Sequence, residues 1–356
     1  MIITVTANPS IARALRLDSA PLRGEVQPVH PGADEAGGKG ANVAKALVAA
    51  AVPTVAVILA DDTDPYRALL RTTGTPIVAS PAGAPVRVNL TITEPDGTTT
   101  KLNAPGQVAP SAMDALRRTI LDLLDGGPGS SATASQQASA GPLVVLSGSL
   151  PVGAGDEPQS QPGRLGADHD WYATLLPDLA ARGARIAVDT SGAPLAAVLN
   201  AATSDVRLAV IKPNGDELSD AMIATGIDPH CATGAEIEAD PALARRTVAT
   251  LMAARPGIEA VLLTLGARGA LLVTAPGADG IPSAWLASPP PTVVASTVGA
   301  GDSSLAGWII AERGGADHAT RLATAVAYGS AAAAPPGSTP PTPALADPAR
   351  VSVTQL

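Results

Sequence analysis

Phenylalanine is missing from this chain of 356 residues, and three tyrosines and three tryptophans leave an aromatic share of 2%. A surface that reads nucleic acid by stacking bases on aromatic rings is therefore not expected. Basic residues are few as well. The 23 Lys+Arg against 32 Asp+Glu give a net charge of −9, which argues against a polyanion-coating surface but leaves room for a local anion pocket. Cys231 is the single cysteine, so an internal disulfide framework and a cysteine-based zinc cluster are both excluded. In its Ala-rich setting it reads as inert. The uncharged stretch from Ala46 to Ala60 is broken by Pro53 and is too short to cross a bilayer. The opening MIITVTANPS has no basic segment and reads as a strand, not a signal peptide, so a cytoplasmic protein without membrane partners is expected.

What the chain does have is apolar residue: 46% hydrophobic against 15% charged, enough for a substantial core in one large α/β domain with an accessory piece. Ile2 to Thr6, Thr54 to Leu59, Leu143 to Leu146, Ile186 to Val188, Leu208 to Ile211 and Ala260 to Thr264 are short continuous apolar runs, suited to strands covered on both faces. Ala/Leu-rich segments lie between them: Asn42 to Ala51, Ala112 to Leu124, Trp171 to Arg182, Ala242 to Ala254 and Ser303 to Glu312. Strand and helix in alternation predict a mainly parallel, Rossmann-like sheet flanked by helices.

Two features interrupt that rhythm. Val86 to Thr93 alternates at period two, then Pro95-Asp96-Gly97 turns into Thr98 to Leu102, which predicts a half-solvated hairpin. With Ala14 to His30 it would form a small β lid, drawn from about 11–31 and 86–103. Residues 126–141 and 154–169 are rich in Gly, Ser, Ala, Pro and Gln and read as mobile inserts. The tail after Pro335 is Pro-rich, with Pro341 to Leu356 free to pack on the body.

The segment that carries chemistry is Ser296-Thr297-Val298-Gly299-Ala300-Gly301-Asp302-Ser303-Ser304, after the strand-like Thr292-Val293-Val294. Small residues at 299 to 301 admit a ligand close to backbone N–H groups, and a helix start favours an anion there. Asp302 falls in the first helical turn, where the same field is expected to keep it ionised. A carboxylate base beside an anion cradle is what phosphoryl transfer needs. Without a following Lys-Ser or Lys-Thr, the segment is not a Walker loop. Ala36-Gly37-Gly38-Lys39-Gly40-Ala41-Asn42 is a second glycine-rich entry to a helix and offers an ammonium and an amide to a sugar phosphate. Lys212-Pro213-Asn214-Gly215-Asp216-Glu217 sets Asn and Glu three apart, a spacing suited to hydrated Mg²⁺. Ser147 to Pro151 and Thr264 to Gly269 also follow strands, and such loops converge at the carboxyl edge of a parallel sheet. The four histidines lack ligand spacing and receive no role.

Taken together, AGGKGxNVAKAL, SGSLP, KPNxxEL, TLGARG and STVGAGDS resemble the ribokinase-like (PfkB) sugar kinases, in the branch of 1-phosphofructokinases and tagatose-6-phosphate kinases. The resemblance runs from Thr4 to about Pro343. It implies a β lid that covers the sugar and often builds a homodimer, with ATP and Mg²⁺ as the reaction partners. By that resemblance Asp302 is the base and Gly299, Ala300 and Gly301 form the anion hole. Gly37, Gly38, Lys39, Asn42, Arg87 and Ser149 would hold the phosphosugar. Lys212, Asn214, Thr264, Gly266 and Gly269 would border ATP, and Glu217 would organise Mg²⁺ through water. The implied reaction phosphorylates a ketohexose monophosphate, first fructose 1-phosphate to fructose 1,6-bisphosphate. Tagatose 6-phosphate and fructose 6-phosphate are alternative acceptors, and a non-catalytic ligand-binding descendant is a further alternative.

Two positions depart from the family. Ala12, in Asn8-Pro9-Ser10-Ile11-Ala12, stands where the family carries an Asp that grips sugar hydroxyls, and Ala104 stands where it tends to carry Glu. Losing a charge-assisted bond weakens binding by roughly 1.5–3 kcal/mol, so altered specificity or reduced activity is expected.

Overall fold

The computed structural model describes residues 1–126, 141–153, 169–277, 282–291, 294, 296–334 and 340–356. The two sequence-predicted inserts, except for their outermost residues, and Thr292-Val293 lie outside the described residues.

In chain order the strands are β1 (Ile2–Thr6), β2 (Ser10–Arg16), β3 (His30–Gly37), β4 (Thr54–Leu59), β5 (Ile77–Ser80), β6 (Arg87–Thr93), β7 (Thr99–Asn103), β8 (Gln107–Val108), β9 (Leu143–Ser147), β10 (Val152–Gly153), β11 (Arg185–Asp189), β12 (Val210–Ile211), β13 (Ala260–Thr264), β14 (Ala270–Thr274), β15 (Ser283–Ser288) and β16 (Ser352–Gln355). The helices are α1 (Lys39–Ala49), α2 (Pro65–Arg71), α3 (Ala112–Leu124), α4 (Trp171–Ala181), α5 (Gly192–Ala201), α6 (Gly215–Ala224), α7 (Gly234–Ala239), α8 (Pro241–Ala254), α9 (Ala300–Arg313) and α10 (His318–Ala333).

The main sheet runs β5-β4-β1-β9-β11-β12-β13-β14-β15-β16. It is parallel from β5 to β13, and β14, β15 and β16 extend it antiparallel. Alternate side chains explain its apolar strands. Ile3, Val5, Val144 and Leu146 face a core with Leu116, Leu175 and Leu251 from α3, α4 and α8. Ile2, Leu143 and Val145 face Leu47, Leu305 and Leu322 from α1, α9 and α10 on the other side. With both faces covered, no strand in the middle needs a polar side, as the runs in the sequence implied. In place of aromatic bulk, small residues bring helices together. A Cβ on Gly307 of α9 would lie 2.6 Å from the Thr324 carbonyl of α10.

The lid is a second sheet in the order β3-β2-β6-β7. Its hairpin turn closes as predicted, with Glu94 N donating to Thr98 O at 2.9 Å and Gly97 at φ +88°. The lid differs from expectation in extent: β3 runs on to Gly37, beyond the predicted limit near 31. HPGADEAG has little strand character of its own, and pairing with the exposed edge of β2, from Ser10↔Gly37 outward, supplies it. The tail does pack on the body, through β16 against β15. Among the described residues no helix is long and apolar enough to cross a membrane.

Candidate active site

The carboxyl ends of the central strands meet the start of α9. Gly299 caps that helix in the left-handed region at φ 76°, and Asp302 lies in its first turn. The amides of a helix's first turn have no intrahelical acceptor, so the turn presents donors and partial positive charge. A Cβ on Gly301 would lie 3.1 Å from Lys212 Nζ, so that ammonium rests against the same turn.

Four further groups close around it. Asn42, one turn into α1, donates from Nδ2 to Asp302 Oδ2 at 2.7 Å. Lys39, the first residue of α1, donates from Nζ to Asp189 Oδ1 at 2.9 Å and lies 3.5 Å from Glu217 Oε1. Lys212 reaches the same Asp189 oxygen at 3.2 Å. Asp189 Oδ2 and Asn42 Oδ1 are buried and have no hydrogen-bond partner among the described residues.

Burial decides the charge state here. Asp302 is 6% exposed. Loss of solvent and the neighbouring Asp189 push its pKa up to about 6, against the pull of Lys39, Asn42 and Lys212. Desolvation thus outweighs the partial charge of the helix start, and the carboxylate is ionised only above about pH 6. Asp189 behaves oppositely. Its burial is greater still, yet Lys212 and Lys39 hold it below the usual carboxylate range. Burial also works against the Lys39 charge, but Asp189, Glu217 and Asp302 together raise its pKa above the ordinary lysine value.

Asp189 escaped the sequence reading. Its one signal was an acid ending the run Ile186-Ala187-Val188, and that acquires meaning only when two distant lysines meet it. Asn8 was also missed; its Nδ2 donates to Ser149 Oγ and to Leu150 O, both at 3.1 Å.

Residues 167–345 match the profile described as pfkB family carbohydrate kinase. The 1-phosphofructokinase of Xanthomonas campestris pv. campestris is 32% identical over 330 residues, 91% of this chain and 88% of its own. The chain belongs to the pfkB family of carbohydrate kinases. This kinase is also 34% identical to the 1-phosphofructokinase of Rhodobacter capsulatus, over 86% of one chain and 83% of the other. Its fold matches that of phosphofructokinase-2 from Escherichia coli in complex with fructose-6-phosphate, with a TM-score of 0.73, 23% identity and 93% of each chain covered. Ribokinase from Arabidopsis thaliana, complexed with ribose and ATP, gives a TM-score of 0.62 at 19% identity, covering 98% and 96%.

The remaining expected residues of this pfkB kinase are distributed as follows. Gly37 ends β3, and Gly38, at φ 117°, lies where a Cβ would be 2.7 Å from Thr6 Cγ2. Ser149 accepts from Asn8 on the loop after β9. Arg87 opens β6, but its donors point to main-chain carbonyls of Ala104 at 2.9 Å, Asn8 at 3.3 Å and Pro9 at 3.4 Å, which lace the lid to the β1–β2 loop. Asn214 and Glu217 form a reciprocal capping box on α6. Glu217 therefore has one oxygen on the Asn214 amide and the other toward Lys39. Thr264 is bridged to Asn214, and its amide donates to Pro213 O at 3.0 Å. Gly266 and Gly269 adopt φ 57° and 103°, and a Cβ on Gly269 would lie 2.0 Å from the Ala287 carbonyl. Ala12 shares the lid's polar face with Asn89, Asn103 and Glu35.

Proposed function

We propose that this kinase transfers the terminal phosphoryl group of ATP to a hydroxyl of fructose 1-phosphate, giving fructose 1,6-bisphosphate. The observation that carries the reading is the buried Asp302 at the first turn of α9, held by Asn42 and set beside two lysines that share Asp189. Ionised above a pKa of about 6, Asp302 takes the proton from the attacking hydroxyl. The amides around Gly299, Ala300 and Gly301, with Lys212 against them, offset charge on the moving phosphoryl group. Lys39 takes the acceptor's own phosphate, helped by Gly37, Gly38 and Ser149. Arg87, its donors on the carbonyls of Asn8, Pro9 and Ala104, braces the β1–β2 loop whose Asn8 holds Ser149. Asn214, Thr264, Gly266 and Gly269 border the nucleotide. ATP and phosphorylated sugars suit the cytoplasm.

Mg²⁺ fits the residues present in a limited way. Among the described residues no three His, Cys, Asp or Glu side chains converge as a metal cage. Mg²⁺ asks for less, because one or two carboxylates plus substrate phosphates hold it. Asp189, with its unpartnered buried Oδ2, is the residue suited to face it, and Glu217, which approaches the same Lys39 Nζ at 3.5 Å, would organise its waters. Bound there, the ion would neutralise phosphate charge.

The alanines at 12 and 104 point to altered acceptor specificity or reduced activity, so tagatose 6-phosphate or fructose 6-phosphate as acceptor, or binding without turnover, is the second reading. The lid supports a homodimer: Leu15, Leu90, Ile92 and Leu102 lie on one face, and Leu102 is half exposed. ATP consumption with Mg²⁺ against the three sugar phosphates tests the function. Highest kcat/KM with fructose 1-phosphate is expected. Saturable binding with no turnover on any of them would mark a non-catalytic binder and overturn the proposal.

A further inference from the structure

At the β13 end of the sheet edge, one carboxylate has no task in the chemistry above. Glu238 projects from α7, which packs on α6. Its Oε1 accepts from the Gly215 amide at 3.1 Å. Gly215 also fixes the side chain sterically, since a Cβ there would lie 2.6 Å from Glu238 Cγ. On its other side a Cβ on Gly266 would come 3.5 Å from Oε2. Two glycines therefore flank a carboxylate whose second oxygen no described residue donates to. An ionised carboxylate is an acceptor only, with room for several N–H or O–H donors.

Position tells which donors. Gly266 follows β13, two strands along the sheet from β11, where Asp189 gathers the lysines. At the usual strand spacing this is about 10 Å. Along that line the donors differ. At one end two ammonium groups, shared with Asp189 and Glu217, and the first-turn amides of α9 can meet phosphate. At the other Glu238 offers an acceptor, and the neighbouring Arg268 points to the main-chain carbonyl of Glu238 at 3.4 Å and not to its carboxylate. A nucleotide lying across the edge has its phosphates at the cationic end, and the part reaching Glu238 is neutral and carries hydroxyl donors. We infer that Glu238 recognises the ribose of the nucleotide, accepting from its 2′- and 3′-hydroxyls, and so selects ribonucleotides as phosphoryl donors. This rests on the kinase reading proposed above and deepens it at the donor site.

The test compares ATP with 2′-deoxyATP and 3′-deoxyATP on the full chain and on Glu238→Gln and Glu238→Ala. The parent should show a KM for ATP about ten- to a hundredfold below that for the deoxy forms, the range of a charge-assisted hydrogen bond. Glu238→Ala should raise the ATP KM toward the deoxy values and erase the discrimination, while the KM for the sugar phosphate holds. Glu238→Gln keeps an acceptor for the Gly215 amide and should lose most of the discrimination without a change in melting temperature. Calorimetric binding of the same nucleotides reads the same ratio without turnover, which separates failure of this inference from failure of the kinase reading. Equal affinity of the parent for ATP and the deoxy forms, or discrimination that survives both substitutions, would overturn it.

Discussion

Asp302→Asn should separate chemistry from stability. Burial and Asp189 lift the carboxyl from 3.8 to about 6 in the folded chain. At about 1.4 kcal/mol per pH unit, the ionised group makes the fold on the order of 2–3 kcal/mol less stable than an unperturbed carboxylate would. A raised acid contributes its stability in full below about pH 4 and loses it as pH climbs through about 6. The amide is neutral throughout and still accepts from Asn42. The variant should therefore melt about 3–6 °C higher than the parent at pH 8 and at the same temperature near pH 4. Its kcat should meanwhile fall by about 10²–10⁴, because no base remains for the acceptor hydroxyl. Thermal melts at the two pH values, with ATP consumption at pH 8, decide the matter. A variant that melts lower than the parent at pH 8, or turns over near the parental rate, refutes the reasoning.

In the parent, kcat should decline as pH falls through about 6, and two neighbours should move that limb in opposite directions. Asp189→Asn removes a like charge and should shift it to lower pH. The same change leaves Lys39 and Lys212 without their shared carboxylate, so melting should show a loss of about 3–5 kcal/mol. Asn42→Ala removes the hydrogen bond that favours ionised Asp302 and should shift the limb upward; a shift in the other direction would contradict the geometry. Gly269→Ala places a Cβ against the Ala287 carbonyl at φ 103° and should destabilise by more than about 1 kcal/mol, so an unchanged melting temperature would count against that turn.

The sequence was legible where the physics is local or repeated. The strands β1, β4, β9, β11 and β13 are continuous apolar runs because helices cover both their faces. The GAGD turn and the AGGKG entry announce themselves through glycines that the backbone needs. Pairing over distance was not legible: β15 and β16 have mixed composition and exist because each meets its neighbour in the sheet. Asp189 belongs to the same class, since no single segment contains both its lysines. The raised pKa of Asp302 was not legible for a related reason. A helix field is written in the adjacent residues, whereas burial is written in everything that packs around them.

The route by which the lid enters the body has its own consequence. Strand β3 leads straight through Gly38 into Lys39, so a swinging flap would ordinarily drag that ammonium with it. Two successive carbonyls at the end of the strand are anchored instead: Lys45 Nζ donates to Ala36 O at 2.9 Å and the Tyr66 hydroxyl to Gly37 O at 2.8 Å. The end of β3 is thereby fixed to α1 and α2, so the position of Lys39 is set by the body and not by the outer strands of the small sheet.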